Sequence, residues 1–290
     1  MWDSSRLRSA KNRLQAVHRR TRRIAVRFFL SYGSAELVRA LRAVGIEPGD
    51  SVMLHSAFEP HHGFRGLSED AIDAILGALG PQGNLLMVSL PYSTSTLDYL
   101  SKNKCFDVRR TPSAMGLVSE FFRRRKGVVR SGHPTHPILA YGPRAEWFIE
   151  GHERCLYPCG PGTPFERLLQ VGGKVAFFNV PFGYFTFFHY LEHAVRENFE
   201  FPLYTEQPFD VPVIDRNGDR HTVRTYAFSR EAIRRRRFEV LETNLRSRGL
   251  IREKRVGASR LLLVDLREIV SAVEDMTAKG VYFYDMKAVC

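Results

Sequence analysis

The sequence predicts an α/β fold: a mixed central sheet flanked by helices, with an antiparallel hairpin portion. Three observations carry that expectation. Short apolar runs at residues 51–55, 84–90 and 174–178 have the length and composition of buried strands. Helix-length segments with start and stop signals precede the first and second of them. Residues 209–214 and 221–226 flank Asp215-Arg216-Asn217-Gly218, where Asn and Gly tolerate positive φ and so close a hairpin.

Taken in order, the 290 residues divide into a basic arm, residues 1–30, and an α/β domain, residues 31–290. The arm holds Arg6, Arg8, Lys11, Arg13, Arg19, Arg20, Arg22, Arg23 and Arg27 with no acid from residue 6 to 27, and ends in Phe28-Phe29-Leu30. It supplies much of the formal charge of +12, which favours anionic partners by field alone. Three readings are open for it: a helix lying on anionic lipid, a nucleic-acid arm, or a solvated helix packed on the body by Leu14, Val17, Ile24 and Phe28. No run approaches the roughly 18 apolar residues of a membrane span, and the amino terminus lacks the apolar centre of a secretory signal. Cysteines 105, 155, 159 and 290 form no tightly spaced framework, which suits a reducing compartment. The expected location is the cytoplasm, with the arm able to reach the inner face of the membrane.

Ser34 caps a helix over 35–44 that stops at Gly45, and the strand after it delivers His55-Ser56 to a loop. Ser68, Glu69 and Asp70 open a second helix, 71–79, and Gly80-Pro81-Gln82-Gly83 turns into the strand at 84–90. Neither strand is followed by Gly-x-Gly-x-x-Gly or a P-loop, which argues against those nucleotide folds. Thr111-Pro112 reads as a helix start, whose N–H groups would suit a phosphate or a developing oxyanion. His133 and His136 are too few to hold zinc, and His152, Cys155 and Cys159 sit among Pro158, Gly160, Pro161 and Gly162 as in an ordinary surface loop; no metal is expected.

The strand at 174–178 runs into Asn179-Val180-Pro181-Phe182-Gly183-Tyr184-Phe185-Thr186 and then a helix bearing His189. Thr186 lies three positions before it and Glu192 three after, so the spacing puts all three on one helical face. A neutral imidazole takes a proton at pH 7, and a carboxylate beside it stabilises the imidazolium. A core histidine capped by a glutamate fits the same spacing, and the pattern alone leaves both open.

Four motifs in order then carry a resemblance: Thr111-Pro-Ser-Ala-Met-Gly116, Gly127-Val-Val-Arg-Ser-Gly-His-Pro134, Gly173-Lys-Val175 and Thr186-Phe-Phe-His-Tyr-Leu-Glu192. Together they resemble the aminoglycoside 3-N-acetyltransferase family from about residue 34 to about 275, with the basic arm outside the likeness. The resemblance implies an α/β architecture, acetyl-CoA as co-substrate, and transfer of the acetyl group to an amine of an amino sugar. It places His189 as general base with Glu192 as partner. It lines the CoA arm with His55, Ser56, Thr111, Ser113, Met115 and Gly116.

The chain departs from the family where the acceptor is met. Many members run Gly-x-Gly-x-Asp-x-Asn before the threonine, whereas Gly183 and Phe185 stand here for the carboxylate and amide; where relatives tend to be acidic, this chain has Arg234-Arg235-Arg236-Arg237. A basic pocket repels a polycation, so the expected acceptor is an anionic amino sugar, nucleotide- or lipid-phosphate-linked, with an aminoglycoside and antibiotic resistance as the alternative. A degenerate regulatory homologue that contacts nucleic acid is the second alternative. The expected chemistry is direct transfer in a ternary complex, the oxyanion held by N–H groups of residues 111–115 or by the Thr186 hydroxyl. Oligomers are compatible with the sequence.

Overall fold

The computed structural model describes residues 26, 28–58 and 62–286. Most of the basic arm lies outside them, and with it the contacts expected with lipid or nucleic acid. The chain runs α1 (Ser34–Val44), β1 (Ser51–Ser56), α2 (Ser68–Leu79), β2 (Asn84–Val88), α3 (Thr96–Leu100), β3 (Phe106–Asp107), α4 (Leu117–Arg124), β4 (Val129–Arg130), β5 (Ile138–Tyr141), α5 (Ala145–Ile149) and α6 (Pro164–Gln170). It continues through β6 (Lys174–Phe178), α7 (Phe188–Ala194), β7 (Phe209–Ile214), β8 (Arg220–Thr225), α8 (Arg230–Arg235), α9 (Phe238–Ser247), β9 (Arg252–Val256), β10 (Ser259–Asp265) and α10 (Leu266–Ala278). Among the described residues no helix is long and apolar enough to cross a membrane.

A mixed central sheet is present, with strand order β4-β5-β2-β1-β6-β10-β9. β1 lies parallel between β2 and β6, with Val52 opposite Leu85 and Leu54 opposite Ala176, while β5 and β10 run antiparallel outside them. Alternation along these strands feeds two cores. Met53, Val175 and Phe177 point to one, shared with Phe165, Phe188 and Ile269; Val52, Leu54 and Ala176 point to the other, shared with Leu37, Leu41 and Ile75. Each such buried Val, Leu, Ile, Phe or Met side chain is worth about 1.5–3 kcal/mol, which explains the near-continuous apolar runs that made these strands legible. The carboxyl ends of the three parallel strands meet at one edge, where residues 57, 89 and 179 enter loops, the usual place for a site in such sheets.

The expected hairpin is present, and two other sequence expectations change. The hairpin forms with the expected bounds at its first strand, and the Asp215 carboxylate accepts the N–H groups of Asn217, Gly218 and Asp219 across its turn. It belongs, however, to a separate three-stranded sheet, β3-β7-β8. Burial along it alternates, with Val211, Val213, Val223 and Thr225 inward and their neighbours outward, so it forms a one-sided layer and not a strand pair of the two-faced central sheet. No helix starts at Thr111: residues 111–116 are loop and α4 begins after Gly116, whose φ of 98° ends the approach. The cap of α1 sits one residue early, at Gly33, because the Glu36 carboxylate accepts the Gly33 N–H at 2.9 Å.

Candidate active site

β6 ends at Phe178, and the next residue, Asn179, has a φ of 59° that turns the chain in the left-handed region that Asn tolerates. The turn is pinned to β10: Asn179 N–H donates to the Arg260 carbonyl at 2.9 Å, Oδ1 accepts the Arg260 N–H at 3.0 Å, and Nδ2 donates to Ser259 Oγ at 3.0 Å. Phe182, Phe185 and Phe187 then bury themselves in succession, which anchors the segment and aims α7. Phe185 is therefore a core residue and does not face an acceptor.

On α7, His189 Nδ1 lies 2.8 Å from Glu192 Oε1. Glu192 is fully buried and also accepts Arg236 Nη2 at 2.7 Å on Oε1 and Arg236 Nε at 3.0 Å on Oε2, with the Tyr284 hydroxyl donating to Oε2. Burial opposes ionisation of Glu192, yet the Arg236 guanidinium and then His189 outweigh it and hold the carboxyl below its ordinary range. Burial likewise lowers the His189 imidazole, against the pull of Glu192 and with the Arg236 charge adding to it. The ring is thus neutral at pH 7. An ionised carboxylate only accepts, so Nδ1 carries the proton and Nε2 presents its lone pair. This is the wiring of a general base with its orienter. The ring lies against Phe228 at 4.7 Å and meets the edge of buried His136 at 5.5 Å, while Arg236 stacks over the other partner of that cage, Phe228, at 4.7 Å.

Thr186 is not on the helix. It occupies the turn before α7, where its carbonyl accepts the His189 N–H at 3.0 Å and its hydroxyl makes a long 3.4 Å bond to the Tyr184 carbonyl. Arg236 and Tyr284 were not identified from the sequence, being 44 and 92 positions from Glu192. The basic pocket expected from the arginine run does not form as such, because Arg235 pairs with Glu231, Arg236 with Glu192 and Arg237 with Asp285.

His55, Ser56, Met115 and Gly116 line one cleft of about 640 Å³, together with apolar Leu54, Phe58, Met87 and Leu117. Thr111 and Ser113 lie outside its lining. Thr111 Oγ1 accepts the Asp107 N–H at 2.9 Å, and Ser113 Oγ bonds Ser119 Oγ at 2.9 Å. The N–H groups of this loop are also engaged: Thr111 with the Asp107 carbonyl, Ser113 with Glu120, Ala114 with the Leu90 carbonyl and Met115 with Ser113 Oγ. They are not available to an oxyanion, whereas, among the described residues, the Thr186 hydroxyl is held only by its long bond to the Tyr184 carbonyl. A larger groove of about 740 Å³ between Trp147 and the hairpin turn contains none of the expected site residues. In the loop of cysteines, His152 donates Nε2–H to the Pro158 carbonyl at 3.0 Å and accepts from Ser131 Oγ at 2.9 Å, so both ring nitrogens serve the fold.

A sequence profile described as aminoglycoside 3-N-acetyltransferase matches residues 53–278, most of the chain. The chain belongs to the aminoglycoside 3-N-acetyltransferase family. With it the chain joins the acyltransferases that use acetyl-CoA as co-substrate. It is 30% identical over 242 residues to aminoglycoside N(3)-acetyltransferase IV of a Salmonella species, covering 82% of this chain and 84% of that one. It is 29% identical over 254 residues to aminoglycoside N(3)-acetyltransferase VIII of Streptomyces fradiae, covering 81% and 87%. With the type III enzyme of a Salmonella species it shares 28% over 195 residues, and the match spans 66% of that enzyme's length. Among solved structures, AAC-VIa bound to sisomicin superposes with a TM-score of 0.71 at 27% identity, covering 86% of this chain and 98% of that one. The family's co-substrate fits the first cleft: an apolar channel with sparse polar groups suits a chain of methylenes and amides.

Proposed function

We propose that this chain transfers the acetyl group of acetyl-CoA to an amine of an aminoglycoside, with His189 as general base. The observation that carries the reading is the buried array of neutral His189, ionised Glu192 and Arg236, which leaves Nε2 basic and fixed in direction. Nε2 takes a proton from the acceptor amine as the nitrogen attacks the thioester carbonyl. Glu192 stabilises the resulting imidazolium, and the Thr186 hydroxyl, released from its long bond to the Tyr184 carbonyl, steadies the oxyanion of the tetrahedral intermediate. Collapse breaks the C–S bond, and the imidazolium returns its proton to the departing CoA thiolate. The complete array speaks against a degenerate regulatory homologue.

The anionic acceptor expected from Arg234–Arg237 loses its basis, because three of those guanidinium groups are matched by Glu231, Glu192 and Asp285 within the fold. Relatives named for aminoglycoside acetylation, and one bound to sisomicin, support the polycationic class. The test is a thiol-release assay with a panel of aminoglycosides and a nucleotide-linked amino sugar at one salt concentration. Turnover of at least one aminoglycoside is expected. Turnover of the anionic sugar alone would overturn the reading.

A further inference from the structure

His136 stands in the loop between β4 and β5 and is only 2% exposed. Its ring meets His189 edge-on, with 5.5 Å between centroids and 83° between planes, and meets Phe228 edge-on at 5.9 Å. The loop itself fixes the tautomer of this ring. His133 Nδ1 accepts the N–H groups of Thr135 and His136, each at 3.4 Å, so that nitrogen carries no proton. The Thr135 hydroxyl lies 3.2 Å from it and therefore donates to it, which leaves the hydroxyl oxygen to accept from His136 Nδ1 at 3.1 Å. His136 thus keeps its proton on Nδ1 and offers a lone pair on Nε2, for which no hydrogen-bond partner stands among the described residues. Burial holds its pKa well below the ordinary range, with His189 and then His133 adding to the effect, so the ring is neutral. Two neutral imidazoles in contact, each with Nε2 as acceptor, suit a group that brings two N–H bonds to one place. A primary amine is such a group. Rings 5.5 Å apart can serve the same nitrogen, because each hydrogen bond spans about 2.9 Å.

We propose that His136 is a second histidine of the reaction, its Nε2 accepting the N–H that the attacking amine keeps while His189 takes the proton that the amine gives up. The inference rests on the acetyl-transfer reading and adds one residue to the acceptor's side of it. As the C–N bond forms, one N–H proton passes to His189 Nε2 and the other stays on the nitrogen of the product amide. Holding both N–H bonds fixes the remaining direction on nitrogen, that of the lone pair which must meet the thioester carbonyl. His136 moves no proton; it aims the nucleophile.

The experiment measures kcat and KM for an aminoglycoside that the unaltered chain acetylates, and Kd for desulfo-CoA by calorimetry, in His136→Phe, His136→Gln and His136→Asn. Phenylalanine keeps a ring and removes both nitrogens. Glutamine carries an amide oxygen out to where Nε2 stood, whereas the shorter asparagine reaches only the place of Nδ1 and can serve only the bond to Thr135. Expected for phenylalanine is a fall of about 10² in kcat/KM for the aminoglycoside, with Kd for desulfo-CoA within about twofold. Glutamine should recover about tenfold of that loss and asparagine none of it. A merely structural role in the loop predicts the reverse order, so recovery by asparagine equal to or above that by glutamine would overturn the proposal. An unchanged kcat/KM in the phenylalanine variant, or a matching rise in its Kd for desulfo-CoA, would do the same. If the phenylalanine variant does not fold, the glutamine and asparagine variants decide: glutamine is the more active by about tenfold, or the proposal fails. An unaltered chain that acetylates no aminoglycoside would sink the acceptor reading and this proposal with it, whereas normal turnover by His136→Phe would sink this proposal alone.

Discussion

Two histidines, one on β1 and one on α7, are held on opposite terms. His189 is wired: its Nδ1 meets Glu192, and Glu192 is saturated by Arg236 and Tyr284. His55 is stacked but its buried Nε2 is left without a partner. A group that must hold one tautomer through a reaction needs every other valence spoken for, whereas a group that recognises a ligand must keep one open. The contrast separates a wall whose valences the fold fills from a wall that keeps one open.

Acid should collapse both walls together, and this is the largest effect. Burial lowers His55, His152 and His193 to about 4, while an unfolded histidine titrates near 6.5. Between those values the unfolded chain binds protons that the folded chain refuses, so stability is full above about pH 6.5 and lost as pH falls. At pH 5 each of the three contributes a loss of about 2 kcal/mol. Urea midpoints measured from pH 7.5 to 5 should fall steeply, and flat midpoints would contradict the burial of these rings.

Arg236→Met breaks the wired wall alone. Glu192 then remains buried without its main counter-charge, at a cost of about 3–5 kcal/mol in urea unfolding. Combining it with Glu192→Gln should restore part of that stability without restoring activity. His189→Ala should lower kcat by about 10² or more with desulfo-CoA binding little changed, since the base acts in the transition state. Glu192→Gln should cost kcat less than that, because it orients the base and does not move the proton. The smallest effect is Thr186→Ala, about tenfold in kcat at constant KM if its hydroxyl meets the oxyanion; an unchanged rate would remove Thr186 from the chemistry.

The sequence exposed the parts of this site that are local. Glu192 is three residues from His189, and period alone pairs them; the strands at 51–56, 84–88 and 174–178 announce themselves by unbroken apolar runs. What it concealed is tertiary. Arg236 reads as one of four arginines in a solvated run until Glu192, 44 positions away, claims it. Thr111-Pro112 has the residue types of a helix start, yet buried Arg130 holds the loop there: its guanidinium donates to the Thr111 carbonyl at 2.5 Å and to the Ser89 carbonyl at 2.6 Å. The hairpin was legible as a hairpin because its turn is local, but its sheet was not, because layer membership depends on which faces other elements cover. Thr186 was placed on the helix by counting in steps of three; the helix starts two residues later.

The pinned turn at Asn179 makes β10 a ruler for the base. Asn179 takes both backbone groups of Arg260 and one hydroxyl of Ser259, and Leu261 sits opposite Phe178 just before it. A slip of β10 by one residue would drag that anchor by about 3.3 Å, roughly the length of the hydrogen bond His189 must make to an incoming amine. The tolerance of the reaction is thus written into a strand that lines no part of the cleft. Insertions in the β9–β10 hairpin, though remote from the cleft, are mechanical adjustments of the imidazole's reach.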